Sequence, residues 1–129
     1  MAGQTAFRYS LRCGLVVIAL LLASAMGAHA GCATDRNGEV YCGGGACRGD
    51  RDGKVWCSRF YDGGAQTTRH GEVRCGRGQC VKNRRGRIFC SSEIGGAALR
   101  DSRGRVRCYG ECQPARAEWC EHTRAGSAE

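Results

Sequence analysis

The stretch Asp50-Arg51-Asp52-Gly53-Lys54-Val55-Trp56-Cys57 decides the fold, because its pattern recurs along the chain. Each copy has a polar residue, then glycine three positions later, then valine or isoleucine, and ends in cysteine. The five copies span residues 35–42, 50–57, 68–75, 83–90 and 101–108. A shorter and a longer step alternate between the closing cysteines, so the true period is a 33-residue pair of units, from Cys42 to Cys75 and again to Cys108.

Each unit is predicted to be a β-hairpin with a tight turn. Asp or Asn starts a type I turn by bonding its own backbone, and the glycine three positions later can take positive φ. Such a turn makes a three-residue hairpin loop with a bulge. If Gly38 is the bulge, Asp35 faces Glu39 and Cys32 lies opposite Cys42. The other hairpins place Cys47 opposite Cys57, Ala65 opposite Cys75, Cys80 opposite Cys90 and Ala98 opposite Cys108.

Directly opposite cysteines are close enough for a disulfide, which favours the pairs 32–42, 47–57 and 80–90. Cys75, Cys108, Cys112 and Cys120 would then remain for two further bridges. A competing scheme bridges the short connections instead, as 42–47, 75–80 and 108–112, and both schemes stay open. Beyond position 30 the ten cysteines expected to form bridges are Cys32, Cys42, Cys47, Cys57, Cys75, Cys80, Cys90, Cys108, Cys112 and Cys120.

Composition predicts that these bridges replace a conventional core. The range 31–129 contains only ten side chains of the Val, Ile, Leu and Phe types, too few for an ordinary hydrophobic interior. Each disulfide typically contributes about 2–4 kcal/mol by restricting the unfolded chain. We therefore expect a small disulfide-rich all-β domain of five tandem hairpins over residues 31–112. Residues 113–129 lack the repeat and are expected to cap it, either as a short helix starting at Pro114 or as irregular structure.

The segment 1–30 has the features of a secretory signal peptide. Arg8 and Arg12 precede an apolar stretch over residues 15–23, and the small-residue site Ala28-His29-Ala30 follows. The apolar stretch is shorter than the roughly 20 residues that span a bilayer, so no transmembrane segment is predicted. Cleavage near Ala30 predicts a secreted or periplasmic protein. Lipid attachment at Cys32 is an alternative, although His29 departs from the lipoprotein pattern.

Charge is distributed unevenly along the mature chain. The net charge is 0 over residues 31–68, +8 over residues 69–107 and −2 over residues 108–129. A compact scaffold with such a basic stretch attracts anionic partners, most strongly at low salt. A solvated surface that keeps the protein soluble is the alternative explanation.

Strand alternation predicts a candidate ligand-binding row, since residues two apart share a face. The Val or Ile and the Cys of each unit should face the bridges, so the residue between them points away. Aromatic faces stack on sugars or bases, and arginines bind phosphate or carboxylate with paired hydrogen bonds. The row contains Tyr41, Trp56, Arg74, Phe89 and Arg107, and we add the turn residues Arg84, Arg85 and Arg87. Alternatively, these side chains only cover the second face of a thin sheet.

No catalytic constellation, metal set or cofactor motif is recognised. His70 and His122 have no nucleophile beside them in sequence, and an even cysteine count in an exported chain favours disulfides over zinc. Asp50-x-Asp52-Gly53 is similar to a fragment of a calcium loop, but arginine occupies the equivalent position of two other units, which favours a turn. Arg48-Gly49-Asp50 spells an integrin-recognition triplet, here in a strand that leads to a turn.

In organisation alone, the hairpins resemble arrays such as membrane-occupation and wall-binding repeats, but the cysteine placement departs from both. We carry over no functional residue. Two expectations follow: a non-enzymatic binding module for anionic polymers such as polysaccharide, lipopolysaccharide or nucleic acid, or a structural or inhibitory protein that presents its hairpins to an extracellular protein. The sequence leaves the oligomeric state open.

Overall fold

The computed structural model describes residues 31–128, so the predicted signal peptide over 1–30 lies outside the described residues. The described chain forms short β-strands and a single 3₁₀ helix. None of its helical structure has the length and apolar character required to cross a bilayer.

The five expected hairpins are present, each with antiparallel strands. Hairpin 1 pairs β1 (Cys32–Thr34) with β2 (Val40–Cys42), and hairpin 2 pairs β3 (Cys47–Gly49) with β4 (Val55–Ser58). Hairpin 3 pairs β5 (Ala65–Thr67) with β6 (Val73–Cys75), and hairpin 4 pairs β7 (Cys80–Lys82) with β8 (Ile88–Ser91). Hairpin 5 pairs β9 (Ala98–Arg100) with β10 (Val106–Cys108). The remaining strands are β11 (Cys112–Pro114) and β12 (Cys120–Glu121).

The predicted register is confirmed in every hairpin. Cys32 lies opposite Cys42, Ala65 opposite Cys75, and the other three pairs follow the same count. Turns 1 to 5 are residues 35–39, 50–54, 68–72, 83–87 and 101–105. Their glycines have φ between 80° and 83°. In turn 1, Oδ1 of Asp35 accepts hydrogen bonds from the amides of Asn37 and Glu39, so the side chain closes its own turn.

The hairpins stack in chain order, first strand beside first strand. At the tips, the arginine in the second position of each of turns 1 to 4 lies over the glycine of the next turn. A Cβ at Gly53 would be 2.5 Å from Nε of Arg36, and a Cβ at Gly71 would be 2.5 Å from Cβ of Arg51. Arg69 and Arg84 contact the next two turn glycines in the same way, whereas turn 5, the last, has Ser102 in that position. We call these four side chains the arginine ladder.

The tail is a strap and not an end cap. It runs back along the stack and forms backbone hydrogen bonds with the second strands of hairpins 4, 3, 2 and 1, in that order. β11 pairs with β8, Arg116 bridges to Cys75, β12 pairs with β4, and Arg124 bridges to Tyr41. We define the strap as residues 112–125, because the amide of Ala125 donates the last of these bonds, to the carbonyl of Val40.

The expected helix starting at Pro114 is wrong. Pro114 ends strand β11, and the only helical turn in the described tail is the 3₁₀ helix Ala117–Trp119. The physical reason is that the edge of β8 offers unpaired backbone groups to Gln113 and its neighbours. A proline is tolerated on an edge strand because its missing N–H faces away from the ladder.

Five disulfides join all ten cysteines of the described chain. Three are the favoured cross-strand bridges, Cys32–Cys42, Cys47–Cys57 and Cys80–Cys90. Cys75–Cys120 ties the strap to hairpin 3, and Cys108–Cys112 closes the reversal into the strap. These two bridges use the four cysteines that the cross-strand scheme left for further bridges, and the competing scheme also contained Cys108–Cys112 but not the others. Five disulfides are consistent with an oxidising extracellular or periplasmic compartment.

The core consists of small clusters arranged along the stack around the sulfurs. Cys57, Cys75 and Cys90 are fully buried, and Val55, Val73 and Ile88 pack beside them. The only fully buried polar side chains in the described chain are Ser58 and Ser91, which are separated by one full repeat period. Each donates its hydroxyl to a carbonyl of a connecting loop, Ser58 to Gly76 and Ser91 to Tyr109. The same buried hydrogen bond therefore recurs with the 33-residue period of the sequence.

Candidate functional site

The strap covers one end of the predicted ligand-binding row. In hairpins 2 to 4 the valine or isoleucine faces the bridges as expected, but in hairpin 1 Val40 is 42% exposed and Tyr41 is 8% exposed. The ring of His122 in the strap stacks on Tyr41 with centroids 4.1 Å apart, and Nδ1 of His122 donates to the carbonyl of Val55 over 2.7 Å. The placement of Tyr41 on an open face is therefore wrong, because the returning tail covers it.

Trp56 is also engaged within the molecule. Its ring lies 5.4 Å from that of His122, and its indole N–H donates to Oδ2 of Asp50 over 3.0 Å. Lys54 places its ammonium 4.6 Å from the centre of the same ring. Trp56 is therefore half-buried, and its ring is partly engaged by hairpin 2, its turn and the strap.

Asp50 explains how the Arg48-Gly49-Asp50 triplet is used. Its Oδ1 accepts the amides of Asp52 and Lys54, and its Oδ2 accepts the Trp56 indole. Partial burial raises the pKa of the Asp50 carboxyl, but these three hydrogen bonds outweigh it and hold the pKa below the ordinary value. Both carboxylate oxygens are thus used by the hairpin itself, which accounts for the aspartate of the triplet as a turn residue.

Five of the other six candidate residues lie in hairpins 4 and 5, and the sixth, Arg74, lies in hairpin 3. Between turns 4 and 5 lies a groove of about 340 Å³, which we call the basic groove. Its lining includes Arg84, Arg85, Arg87, Phe89, Arg103 and Arg105. The first four of these were predicted from the sequence. Arg103 and Arg105 were not, although their positions in turn 5 match those of Arg85 and Arg87 in turn 4.

Turn 4 differs from its neighbours in having no carboxylate. Asn83 starts it, and the Asn83 amide oxygen accepts the amides of Arg85 and Arg87 over 2.9 and 3.0 Å. Asp35, Asp50 and Asp101 perform the same task with a charged oxygen. The net charges of turns 1 to 5 are −1, 0, 0, +3 and +1, with histidine counted as neutral. Asn83 therefore closes the turn without neutralising its three arginines.

Only one of the five arginines that line the basic groove forms an ion pair with a carboxylate of the described residues. Asp101 pairs with Nε of Arg105 and with Nε of Arg107, each over 3.3 Å. The hydrogen bond from the Arg105 amide, with others from Arg103 and Arg107, lowers the pKa of the Asp101 carboxyl. Within residues 31–128, no ion pair joins a carboxylate to the other four arginines of the groove. Those arginines are Arg84, Arg85, Arg87 and Arg103.

A second groove of about 430 Å³ lies on the other side of turn 4, between hairpins 3 and 4 and the strap. Arg74 and Phe89 from the predicted row line it, together with Pro114 from the strap. Arg74 also pairs with Glu72 over 3.7 Å. Phe89 and Arg87 line both grooves, so the two lie next to each other along strand β8.

The site as a whole is a set of guanidinium groups around a partly buried aromatic ring, carried by a disulfide-stapled stack of β-hairpins. The described residues contain no cluster of His, Cys, Asp and Glu that could hold a metal ion. No protein-family model matches the chain, and no curated protein or solved structure is significantly similar to it.

Proposed function

We propose that this chain is an exported, non-enzymatic binding module for anionic envelope or extracellular polymers, such as polysaccharide, lipopolysaccharide or nucleic acid. The basic groove is the proposed contact surface. The observation that carries the proposal is turn 4, where Asn83 supplies the capping oxygen without a charge and its three arginines form no ion pair with any carboxylate of residues 31–128. Guanidinium groups bind phosphate, sulfate or carboxylate in bidentate geometry.

The proposed contact surface combines apolar and cationic side chains. Phe89 and Val106 line the groove together with the arginines, so a sugar ring or base has an apolar surface to pack on while its anionic group meets the guanidinium groups. Export rests on the signal-peptide features of residues 1–30 and cleavage near Ala30. The five disulfides support the same compartment.

A matched pair of substitutions tests the proposed contact surface. Asn83→Asp keeps a capping oxygen in turn 4 but places a carboxylate beside three arginines. Asn37→Asp makes the same chemical change in turn 1, at the far end of the stack. At low salt we expect Asn83→Asp to weaken polyanion binding on the order of three- to tenfold, because several exposed charge interactions, each worth up to about 1 kcal/mol, change together.

The measurement is the affinity of the oxidised protein for heparin, polyphosphate, lipopolysaccharide and single-stranded DNA over a range of salt concentrations. Wild-type and Asn37→Asp proteins should bind alike, with affinity falling as salt rises. Equal loss in both variants, or no binding of any polymer at low salt, would reject the basic groove as the contact surface.

A protein-interaction role is the second candidate, and a separate observation favours it. The connecting loops opposite the turns expose Tyr61, Ile94 and Tyr109, which are 75%, 55% and 70% accessible. Exposed apolar side chains of this size are typical of surfaces that contact proteins. Recovery of a bound protein at high salt, lost when Tyr61 and Tyr109 are replaced by serine, would support this role in place of the first.

A further inference from the structure

Two of the five disulfides are accessible, and they lie at opposite ends of the stack. Both cysteines are buried in the bridges Cys47–Cys57, Cys75–Cys120 and Cys80–Cys90. In contrast, Cys32 and Cys112 are exposed, and their partners Cys42 and Cys108 are half-buried. A thiolate from solution can therefore approach the first and last bridges but not the three between them.

The two accessible bridges have opposite electrostatic surroundings. Hairpin 1, which carries Cys32–Cys42, has Asp35 and Glu39 against Arg36 in its turn. Arg124 of the strap pairs with Glu39, and Glu121 lies against Gly43, the residue after Cys42. Cys112 lines the basic groove together with five arginines: Arg84, Arg85, Arg87, Arg103 and Arg105. Three carboxylates oppose them: Asp101, which pairs with Arg105, Glu111 next to Cys112 in the chain, and Glu93, whose side chain lies against Gly110. Cationic neighbours stabilise a thiolate and thereby the reduced form of a bridge.

The loop between Cys108 and Cys112 is held in place by hydrogen bonds that do not depend on the bridge. The hydroxyl of Ser91 donates to the Tyr109 carbonyl, and the Glu111 amide donates to the hydroxyl of Ser92 over 3.0 Å. The backbone amide of Ser92 donates to the Glu111 carbonyl over 2.8 Å. Cys75–Cys120 still anchors the strap when Cys108–Cys112 is open. Reduction therefore leaves the two thiols close together in an unchanged fold.

From these observations we propose that Cys108–Cys112 is a thiol–disulfide exchange site that favours anionic thiols, including thiols of acidic peptides. An incoming thiolate attacks Sγ of the exposed Cys112, the S–S bond breaks, and its electron pair leaves on Sγ of Cys108. A second substrate thiolate attacks the substrate sulfur of the mixed disulfide and releases the Cys112 thiolate. Two substrate thiols become one substrate disulfide, and the bridge becomes a dithiol that takes up their two protons.

This exchange is stoichiometric and does not require polymer binding. The arginines contribute twice, by attracting an anionic thiol and by stabilising the Cys108 thiolate that leaves. Bridge Cys32–Cys42 of the same molecule lacks both contributions while being similarly accessible, which makes it an internal control.

The test measures the opening rates of the two accessible bridges in one sample. The oxidised protein is treated with 3-mercaptopropionate, which is anionic, or with cysteamine, which is cationic, in the absence of polymer. Free thiols are alkylated at timed intervals and mapped by peptide mass spectrometry. The ratio of the two opening rates, Cys108–Cys112 over Cys32–Cys42, cancels the intrinsic reactivity of each reagent.

We expect Cys108–Cys112 to open first, with a rate ratio at least about tenfold higher for the anionic thiol than for the cationic one. The double variant Arg85→Gln/Arg103→Gln should lower that ratio, whereas Arg48→Gln, which removes an exposed arginine outside the basic groove, should not. Opening of Cys32–Cys42 first, or equal ratios for the two thiols, overturns the proposal. Because no polymer is present, its failure is independent of the proposed polymer binding.

Discussion

At the scale of the single residue, two separate effects favour glycine in the turns: a left-handed backbone conformation and close contact with an arginine of the ladder. All five adopt positive φ, but only those of turns 2 to 5 also lie beneath an arginine of the ladder. Gly38 in turn 1 has nothing within 4 Å of its would-be Cβ, because hairpin 1 is the first of the stack among the described residues. The five sites are alike in backbone conformation and differ in packing, so they separate the two effects.

Gly38→Ala and Gly71→Ala form a matched pair for this purpose. The left-handed conformation costs an alanine about 1–2 kcal/mol at either site. At Gly71 the new methyl group also meets Cβ of Arg51, which is attached directly to the backbone and cannot swing aside. We expect Gly71→Ala to lose a further amount in the range of about 1–3 kcal/mol for overpacking. Guanidinium unfolding of the oxidised proteins measures this, and equal losses would show that the ladder contact is not tight.

The lowered pKa of Asp50 predicts that part of the free energy of unfolding is lost in acid. Its carboxyl has a pKa below the ordinary value of 3.8 in the folded protein, so ionisation favours folding. That contribution is complete above pH 3.8 and is lost as the pH falls through the lowered pKa. Asp50→Asn keeps the capping oxygen, as Asn83 does, and should therefore reduce the loss of stability on acidification. The unfolding midpoint between about pH 2 and pH 5 reports this, with Asp52→Asn in the same turn as the control.

At the scale of the element, the strap determines which sequence-based predictions fail. The hairpin register, three bridges and the turn chemistry were predictable because they depend on residues within one unit. The burial of Tyr41 and the partial burial of Trp56 were not, because their partner His122 lies on a segment with no repeat and approaches from the other end of the chain. The serines at 58 and 91 were visible as a spacing of one period, but only the fold reveals that their hydroxyls are buried.

Removing single bridges should measure what the strap contributes. Cys75→Ser/Cys120→Ser opens a bridge with a sequence separation of 45, whereas Cys108→Ser/Cys112→Ser opens one with a separation of 4. Loop-closure entropy predicts losses of about 4 and about 2 kcal/mol respectively. Guanidinium unfolding, with peptide mapping to verify the other four bridges, gives both values. A larger loss from the 108–112 variant would mean that this bridge supports native contacts beyond chain closure.

At the scale of the whole molecule, the stack is a one-dimensional array that the strap makes cooperative. Repeat arrays unfold from their ends when each unit contacts only its neighbours. Here the strap bonds to hairpins 1 to 4 but not to the second strand of hairpin 5 through a backbone ladder. Hairpin 5 carries Arg103 and Arg105 of the basic groove, so the proposed contact surface lies partly on the least anchored unit.

Hydrogen exchange on two equivalent amides tests this asymmetry. Gly76 donates to Gly64 over 3.0 Å, and Tyr109, one repeat period later, donates to Ala97 over 2.9 Å in the same position of the repeat. We expect a protection factor at least about tenfold lower for Tyr109, equivalent to about 1.4 kcal/mol, because hairpin 5 can open while the strap holds hairpin 3. In Cys75→Ser/Cys120→Ser the protection of Gly76 should fall towards that of Tyr109. Equal protection in the wild-type protein would mean that stacking alone makes hairpin 5 as stable as the strapped units, and that the basic groove is as rigid as the rest of the molecule.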